Sequence, residues 1–187
     1  MRNKVKTTIL LFIFSISLTA QGYKVDKENS QISITGTSNI HDWSAVVREY
    51  EFSGKVNSKS ISDICFEVVV KSIKSGKSGM DKNIYKALKS DDFPKIEFKS
   101  KTLKIKGSEI IGKGTLTIAG QSKDINMSFE FIKRNHIYIV SGTIALKMTD
   151  YGVDPPTTAF GIIKTRDEIK LEVLLSLKSE NYIISNN

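Results

Sequence analysis

The sequence predicts an all-β protein whose strands pair antiparallel around one apolar interior. Hydrophobic residues alternate with polar ones along most of the chain, and short turn signals separate the alternating runs. In the clearest run, Ile169 to Leu177, every odd-numbered residue is apolar and the even-numbered ones are polar, with Leu174 as the exception. A strand with this pattern buries one face and exposes the other to water.

The same period of two predicts eight strands, joined by connections that are mostly short enough for hairpins. Their predicted ranges are 30–38, 44–57, 61–73, 94–105, 109–119, 122–134, 136–149 and 167–179. Eight such strands can stack as two sheets or close into a barrel. We favour the barrel, because closure removes exposed edges and leaves room for one small ligand. Gly112 and Gly114 either mark a bulge or bend or leave space inside.

One segment departs from the strand period. Ser78 followed by Asp81 is typical of a helix start, and Met80, Ile84 and Leu88 then recur at helical spacing. The pattern predicts a helix of roughly ten residues that ends before Pro94. A second irregular stretch, 149–158, contains Pro155 and Pro156 and is predicted to be a loop, because prolines do not fit a central strand.

The first twenty residues have the features of a secretory signal peptide. Basic residues precede the apolar run Ile9 to Leu18, and small residues follow it up to Ala20. An uncleaved anchor helix is the alternative, although the run is short for a membrane span. We therefore expect a leader over 1–20, a single domain over 22–187, no later membrane span, and a periplasmic or secreted location.

Charge and cysteine content exclude several classes of function. The leader contains three basic and no acidic residues, so its removal lowers the formal net charge from +8 to +5. That value is only mildly basic, and the lysines alternate with other residues, so we expect no nucleic-acid partner. Cys65 is the only cysteine, which excludes an intramolecular disulfide, and it is expected to be partly exposed beside Glu67.

Catalytic and metal-binding motifs are weak. His41 and Asp42, next to Trp43, could serve as metal ligands or as an acid–base pair, but His136 is the only other histidine. We favour a structural turn, with His41 or Asp42 bonded to backbone and Trp43 capping the barrel. No nucleophile elbow or phosphate-binding loop is present. We predict no catalytic residues, no metal and no cofactor other than a bound lipid.

Four stretches together resemble the YceI-like family, the polyisoprenoid-binding, lipocalin-like barrels of bacterial envelopes. They are YKVDKENSQISITGTSNIHDW, MDKNIYKALKSDDFPKIEFKS, GKGTLTIAGQSKDI, and TDYGV followed by DEIKLEVLL. The resemblance extends from Tyr23 to about Leu177. One departure is Asn29-Ser30, where many members have His-Ser.

The resemblance implies an eight-stranded lipocalin-like barrel around an elongated apolar cavity that binds an isoprenoid chain, such as a polyprenyl or quinone lipid. We expect His41, Asp42, Ile84 and Leu88 at the cavity mouth. The residues expected to line the cavity are Ile34, Trp43, Phe52, Phe66, Val68, Phe98, Leu116, Ile118, Met127, Phe129, Phe131, Leu146, Met148, Leu171 and Val173.

Two other functions stay open at this point. An interaction module with a filled core would show the same alternation. An enzyme acting on an apolar substrate would need polar groups inside, such as His41 with Asp42 or Asp150. A homodimer is also left open.

Overall fold

The computed structural model describes residues 21–135, 137–158 and 161–179. The predicted leader and His136 lie outside these ranges. The described chain forms twelve strands and one α-helix, α1 (Ser78–Ala87). The strands are β1 (Gln21–Val25), β2 (Gln31–Ser38), β3 (Asp42–Val47), β4 (Tyr50–Val56), β5 (Ser60–Val69), β6 (Ile73–Lys74), β7 (Lys95–Lys106), β8 (Glu109–Ile118), β9 (Gln121–Arg134), β10 (Ile137–Lys147), β11 (Thr157–Thr158) and β12 (Ile163–Ser179).

The sheet curls and closes on itself, which confirms the predicted antiparallel barrel. Neighbouring strands pair in the order β4, β5, β7, β8, β9, β10 and β12, and β1 pairs with both β4 and β12 to complete the ring. β2 also pairs with β12, where it lies in line with β1. β3 pairs with β2, and β6 pairs with β3. The barrel wall therefore has eight strand positions. Five are occupied by one long strand each, and three by two shorter strands in line, namely β1 with β2, β3 with β4, and β5 with β6.

The sequence pattern did not predict that three of the strand positions are divided in two. The predicted strand 44–57 is interrupted at Arg48 and Glu49, and the predicted strand 61–73 is interrupted by a 3₁₀ turn over Val70–Ser72. The two breaks lie side by side, because the amide of Glu49 donates to the Ser72 hydroxyl over 2.9 Å. The short strands β1 and β11 were also not predicted, and β12 begins four residues before the predicted start at 167.

The register shifts in two places that matter for the interior. Asp63 has a left-handed φ of 53° at the bulge where β5 pairs with β4. A second shift lies between Lys99 and Leu103 of β7, opposite Gly112 and Gly114 of β8. The two glycines therefore accompany a bulge, as one of the two interpretations proposed.

The helix spans ten residues, as the spacing predicts, but its start differs from the prediction. Lys77 is the N-cap and makes no side-chain cap, so Ser78 does not form the expected capping pair with Asp81. The Asp81 carboxylate instead accepts hydrogen bonds from the amide and the hydroxyl of Ser75, at 2.8 and 2.6 Å. These bonds hold the preceding turn against the helix and lower the pKa of Asp81.

The two ends of the barrel differ. At the closed end, the ring of Tyr138 packs against those of Tyr23 and Phe131, with centroid distances of 4.9 and 5.1 Å. The opposite end, here called the mouth, contains the β2–β3 turn, helix α1 and the segment 148–156. Within the described ranges, no helix has the length and hydropathy that a transmembrane span requires.

Candidate ligand cavity

An apolar cavity of about 760 Å³ occupies the barrel interior. This volume lies in the range of roughly 300–1,000 Å³ that is typical of small-molecule sites. Every long strand contributes inward side chains to its wall. On the mouth side, α1 contributes Met80 and Ile84, and Leu88 follows directly after the helix. The interior is therefore not packed solid, a property that strand alternation alone does not determine.

Fourteen of the fifteen residues predicted for the cavity line it, and so do three of the four predicted for its mouth. The fourteen are Ile34, Trp43, Phe52, Phe66, Val68, Phe98, Leu116, Ile118, Met127, Phe129, Leu146, Met148, Leu171 and Val173, and the three are His41, Ile84 and Leu88. Their placement on the wall is a matter of geometry, and their role in holding a ligand stays a prediction.

Two of the predicted residues do not line the cavity. Phe131 has the inward orientation, but it lies at the closed end, where it stacks on Tyr138. Asp42 points outward and is exposed, because it alternates with His41 and Trp43 along the start of β3. Its carboxylate therefore cannot act together with His41 at the cavity wall.

Inward-facing glycines allow aromatic rings to lie flat on the wall. A Cβ placed on Gly36 would lie 2.4 Å from Cζ2 of Trp43, and one on Gly142 would lie 2.1 Å from Cδ1 of Phe129. Gly114 has the same relation to Phe98, at 2.2 Å from Cζ. The rings occupy the space of the missing side chains, so the centre of the barrel stays open. Gly112 likewise accommodates Leu103, at 2.7 Å.

Trp43 also carries an unusual polar atom. Its Nε1 is the one buried side-chain nitrogen or oxygen in the described ranges that lacks a hydrogen-bond partner. Burial of an unsatisfied donor costs on the order of 1–3 kcal/mol. The indole is thus positioned by packing on Gly36 rather than by a hydrogen bond.

The β2–β3 turn is held by Ser38 rather than by the side chain of His41 or Asp42, contrary to the prediction. The Ser38 hydroxyl donates to the carbonyl of His41 over 2.8 Å and accepts from the amides of Ile40 and His41. Ser38 therefore braces the backbone of this turn. His41 lies at the edge of the cavity as an exposed side chain.

Apart from His41, sequence reasoning missed the polar residues at the mouth. Ser38, Lys77, Asn83, Lys147 and Thr165 all contribute to the lining at this end. They come from a turn, a helix and three strands, so no sequence period links them. The described wall is otherwise almost entirely apolar, which leaves the mouth as the place for a polar group of a ligand.

Three further side chains are candidates for reactive groups, namely Tyr151, Asp150 and Cys65. Burial raises the pKa of Tyr151, and Asp150 adds to this effect, so the phenol stays neutral at physiological pH. Asp150 itself forms an ion pair with Lys123 over 3.0 Å. Cys65 is partly exposed on the outer face, as predicted, and burial raises the pKa of its thiol. No group of three metal-ligating side chains occurs in the described ranges.

Comparison with solved structures shows the same fold in several bacterial proteins. A structure of Burkholderia cenocepacia BcnA has a TM-score of 0.70 at 16% identity, covering 81% of this chain and 98% of that chain. A polyisoprenoid binding domain from Saccharophagus degradans, implicated in plant cell wall breakdown, has a TM-score of 0.66 at 10% identity, covering 85% and 99%. The YCEI protein of Campylobacter jejuni has a TM-score of 0.61 at 20% identity, covering 72% and 82%.

At these identities the similarity shows the fold alone. No curated protein is significantly similar to the chain in sequence. The model of the YceI-like domain, however, matches residues 23–177, which is most of the chain and includes α1, the cavity and the long strands except the last two residues of β12. The chain therefore belongs to the YceI-like family.

Proposed function

We propose that this protein binds an isoprenoid-type lipid, a polyprenyl or quinone chain, inside the barrel and makes or breaks no bond in it. The observation that carries the proposal is the open apolar cavity of about 760 Å³. A filled core, which the interaction-module alternative requires, would leave no such volume.

Burial of the chain would supply the affinity. A lipid tail that buries ~400 Å² of apolar surface gains roughly 10 kcal/mol. Association consumes several kcal/mol of this through lost ligand freedom. Micromolar binding corresponds to about 8 kcal/mol, so it is within reach without any polar contact.

The family supports the ligand class. The Saccharophagus degradans protein with the same fold is described as a polyisoprenoid binding domain. Within this chain, the buried donor of Trp43 favours a ligand with a carbonyl oxygen, such as a quinone, over a plain hydrocarbon. A ligand oxygen that reached Nε1 would accept this bond, which a hydrocarbon could not do.

Catalysis has little support from the positions of the acidic groups. His41 is at the mouth, whereas Asp42 points outward and Asp150 is paired with Lys123. A proton-transfer pair would need a base within about 3 Å of the reacting group. A binding function also agrees with export into the envelope, which we propose from the leader-like residues 1–20.

Mass spectrometry tests the proposal directly. Protein purified from the cells that make it is measured intact under native conditions, and its lipids are then extracted into organic solvent. We expect one isoprenoid molecule per chain, and binding of added polyprenol or quinone in preference to a straight-chain fatty acid. Repeated absence of a copurified lipid, together with no binding of added polyprenol or quinone, would contradict the proposal.

A further inference from the structure

Apolar side chains are exposed at the mouth of the barrel. Ile162 and Ile40 are the most exposed large hydrophobic residues described, at 66% and 59%. Phe93, at 37%, also lies at this end, where its ring packs on Gly120. Ile132 and Leu174, which are less exposed than the two isoleucines, lie on the barrel wall.

Asn39 holds the two isoleucine loops together. Its side-chain amide donates to the carbonyl of Ile162 over 2.9 Å, and its side-chain oxygen accepts from the amide of Lys164 over 2.8 Å. Its backbone amide donates to the carbonyl of Lys164 over 3.0 Å. Ile40 and Ile162 therefore project from one braced pair of loops rather than from two independent ones.

These loops border the opening of the cavity. His41 follows Ile40 directly, Ile163 follows Ile162 directly, and both belong to the cavity lining. Helix α1 lies at the same end, since β6 ends and β7 begins there, and Met80 also lines the cavity. The exposed isoleucines and the helix thus surround the same mouth.

The outer face of α1 and the turn that follows it carry unpaired positive charge. Lys82, Lys86 and Lys89 are exposed, and none of them has an ion pair with another described residue. Lys82 and Lys86 are one helical turn apart, so they share a face. The helix has a single acidic residue, Asp81, and its carboxylate is engaged by Ser75. In the turn that follows, Asp91 pairs with Lys71, and Asp92 is exposed, so the three lysines exceed the free acidic groups of this segment.

We infer that the protein docks mouth-first on an anionic lipid bilayer, with Ile40 and Ile162 inserted among the headgroups and the α1 lysines against the charged surface. Exposed apolar tips and free lysines at one end of a protein are the combination that binds such surfaces. A water-facing role would leave the isoleucines without a reason to be braced at the opening. The inference goes beyond ligand binding, which can be measured in solution without membranes.

Vesicle cosedimentation tests this inference. The purified protein is mixed with vesicles of phosphatidylcholine, or of phosphatidylcholine and phosphatidylglycerol in equal parts. We expect binding to the anionic vesicles that weakens as salt is raised, because salt screens the lysines. Ile40→Ser with Ile162→Ser should weaken it at least about tenfold, since inserted apolar surface is lost. Replacement of Lys82, Lys86 and Lys89 by Gln should weaken it by about a hundredfold at low salt.

Matched controls separate docking from general charge and from folding. Lys101, Lys104 and Lys113 are exposed on the barrel wall, and their replacement by Gln changes the net charge equally. Ile132→Ser removes an exposed isoleucine away from the mouth. Both controls should bind vesicles like the wild type, apart from the small effect of net charge, and thermal melting should show all variants folded.

Three outcomes would overturn the inference while leaving the proposed lipid binding intact. One is no binding to anionic vesicles at low salt. Another is equal binding by the mouth variants and their controls. The third is a wild-type dimer that Ile40→Ser and Ile162→Ser convert to a monomer without any vesicle binding, which would assign the loops to a second copy of the chain.

Discussion

Substitution of Gly36 by Ala would test how the cavity is kept open. A Cβ at this position would lie 2.4 and 2.6 Å from Cζ2 and Cε2 of Trp43. Carbon atoms in contact prefer about 3.5–4.0 Å, so the indole must move by roughly 1 Å. The wall behind it is backbone, and the free direction is toward the cavity. The added methyl therefore displaces the ring into the space proposed for the ligand.

The expected size of the effect follows from this displacement. Overpacking of this kind costs about 1–3 kcal/mol of unfolding free energy, or roughly 2–10 °C of melting temperature for a chain of this length. We expect the affinity for a short polyprenyl quinone to fall by about tenfold, equivalent to about 1.4 kcal/mol. The protein should remain folded, because the Trp43 atoms that would clash with the new Cβ all belong to the side chain and not to the backbone.

Tryptophan fluorescence provides the assay without labelling. Trp43 is the only tryptophan and lines the cavity, so its emission reports both ring displacement and quenching by a bound quinone. Thr35→Val is the control, since Thr35 precedes Gly36 but points outward. Unchanged emission and unchanged quinone affinity in Gly36→Ala would refute the idea that the glycine holds the indole on the cavity wall.

Three further predictions concern the barrel end, the thiol and the helix. Asp26→Asn should cost about 1–3 kcal/mol in thermal or urea unfolding, because the Asp26 carboxylate pairs with Lys178 over 2.8 Å. The hydrogen bond from Lys178 lowers the folded pKa of Asp26, so its contribution is present at neutral pH and is lost as the pH falls below about 4; an equally steep acid unfolding curve in Asp26→Asn would contradict this. Cys65 should react with a disulfide reagent at neutral pH more slowly than a small free thiol, because burial raises its pKa, and urea should abolish the difference; equal rates in the folded protein would argue against it. Ile84→Gln should weaken quinone binding several-fold by placing an amide in the lining, whereas Lys86→Gln on the outer face should leave it unchanged; equal effects in fluorescence titrations would mean that α1 does not bound the ligand.

The alternation of residues was sufficient to predict the strands, and the barrel followed from the argument that closure removes exposed edges. In β12 the residues Ile169 to Leu177 face inward at every second position, and the exception Leu174 is 43% exposed, as its parity requires. The period of two arises because a strand buries one face, and the residues of that face can be read from the local sequence alone. The helix was predicted for the same reason, from its own spacing.

Features that depend on distant partners could not be predicted. The strand breaks at Arg48–Glu49 and Val70–Ser72 lie side by side and are joined by the hydrogen bond from the Glu49 amide to the Ser72 hydroxyl. The capping role expected for Asp81 fails because Ser75 takes up its carboxylate. Local sequence does not specify which of several polar neighbours a side chain will bond.

The cavity was expected from the family resemblance alone, because strand alternation could not predict it. An open barrel and a filled one have the same inward pattern of Ile, Leu and Phe. The difference lies in cross-strand pairs such as Gly36 with Trp43, where a missing side chain lets a ring lie against the wall. Recognising such pairs requires the strand register, which the turns fixed only to within a few residues.

A titration of the wild-type protein with a polyprenyl quinone, followed through Trp43 fluorescence, tests the central claim most directly. If the cavity binds the ligand, quenching will saturate at one quinone per chain with a dissociation constant in the micromolar range or tighter, and polyprenol will compete. Quenching that rises linearly without saturation, or that polyprenol does not affect, would contradict the account of the barrel as a lipid-binding site.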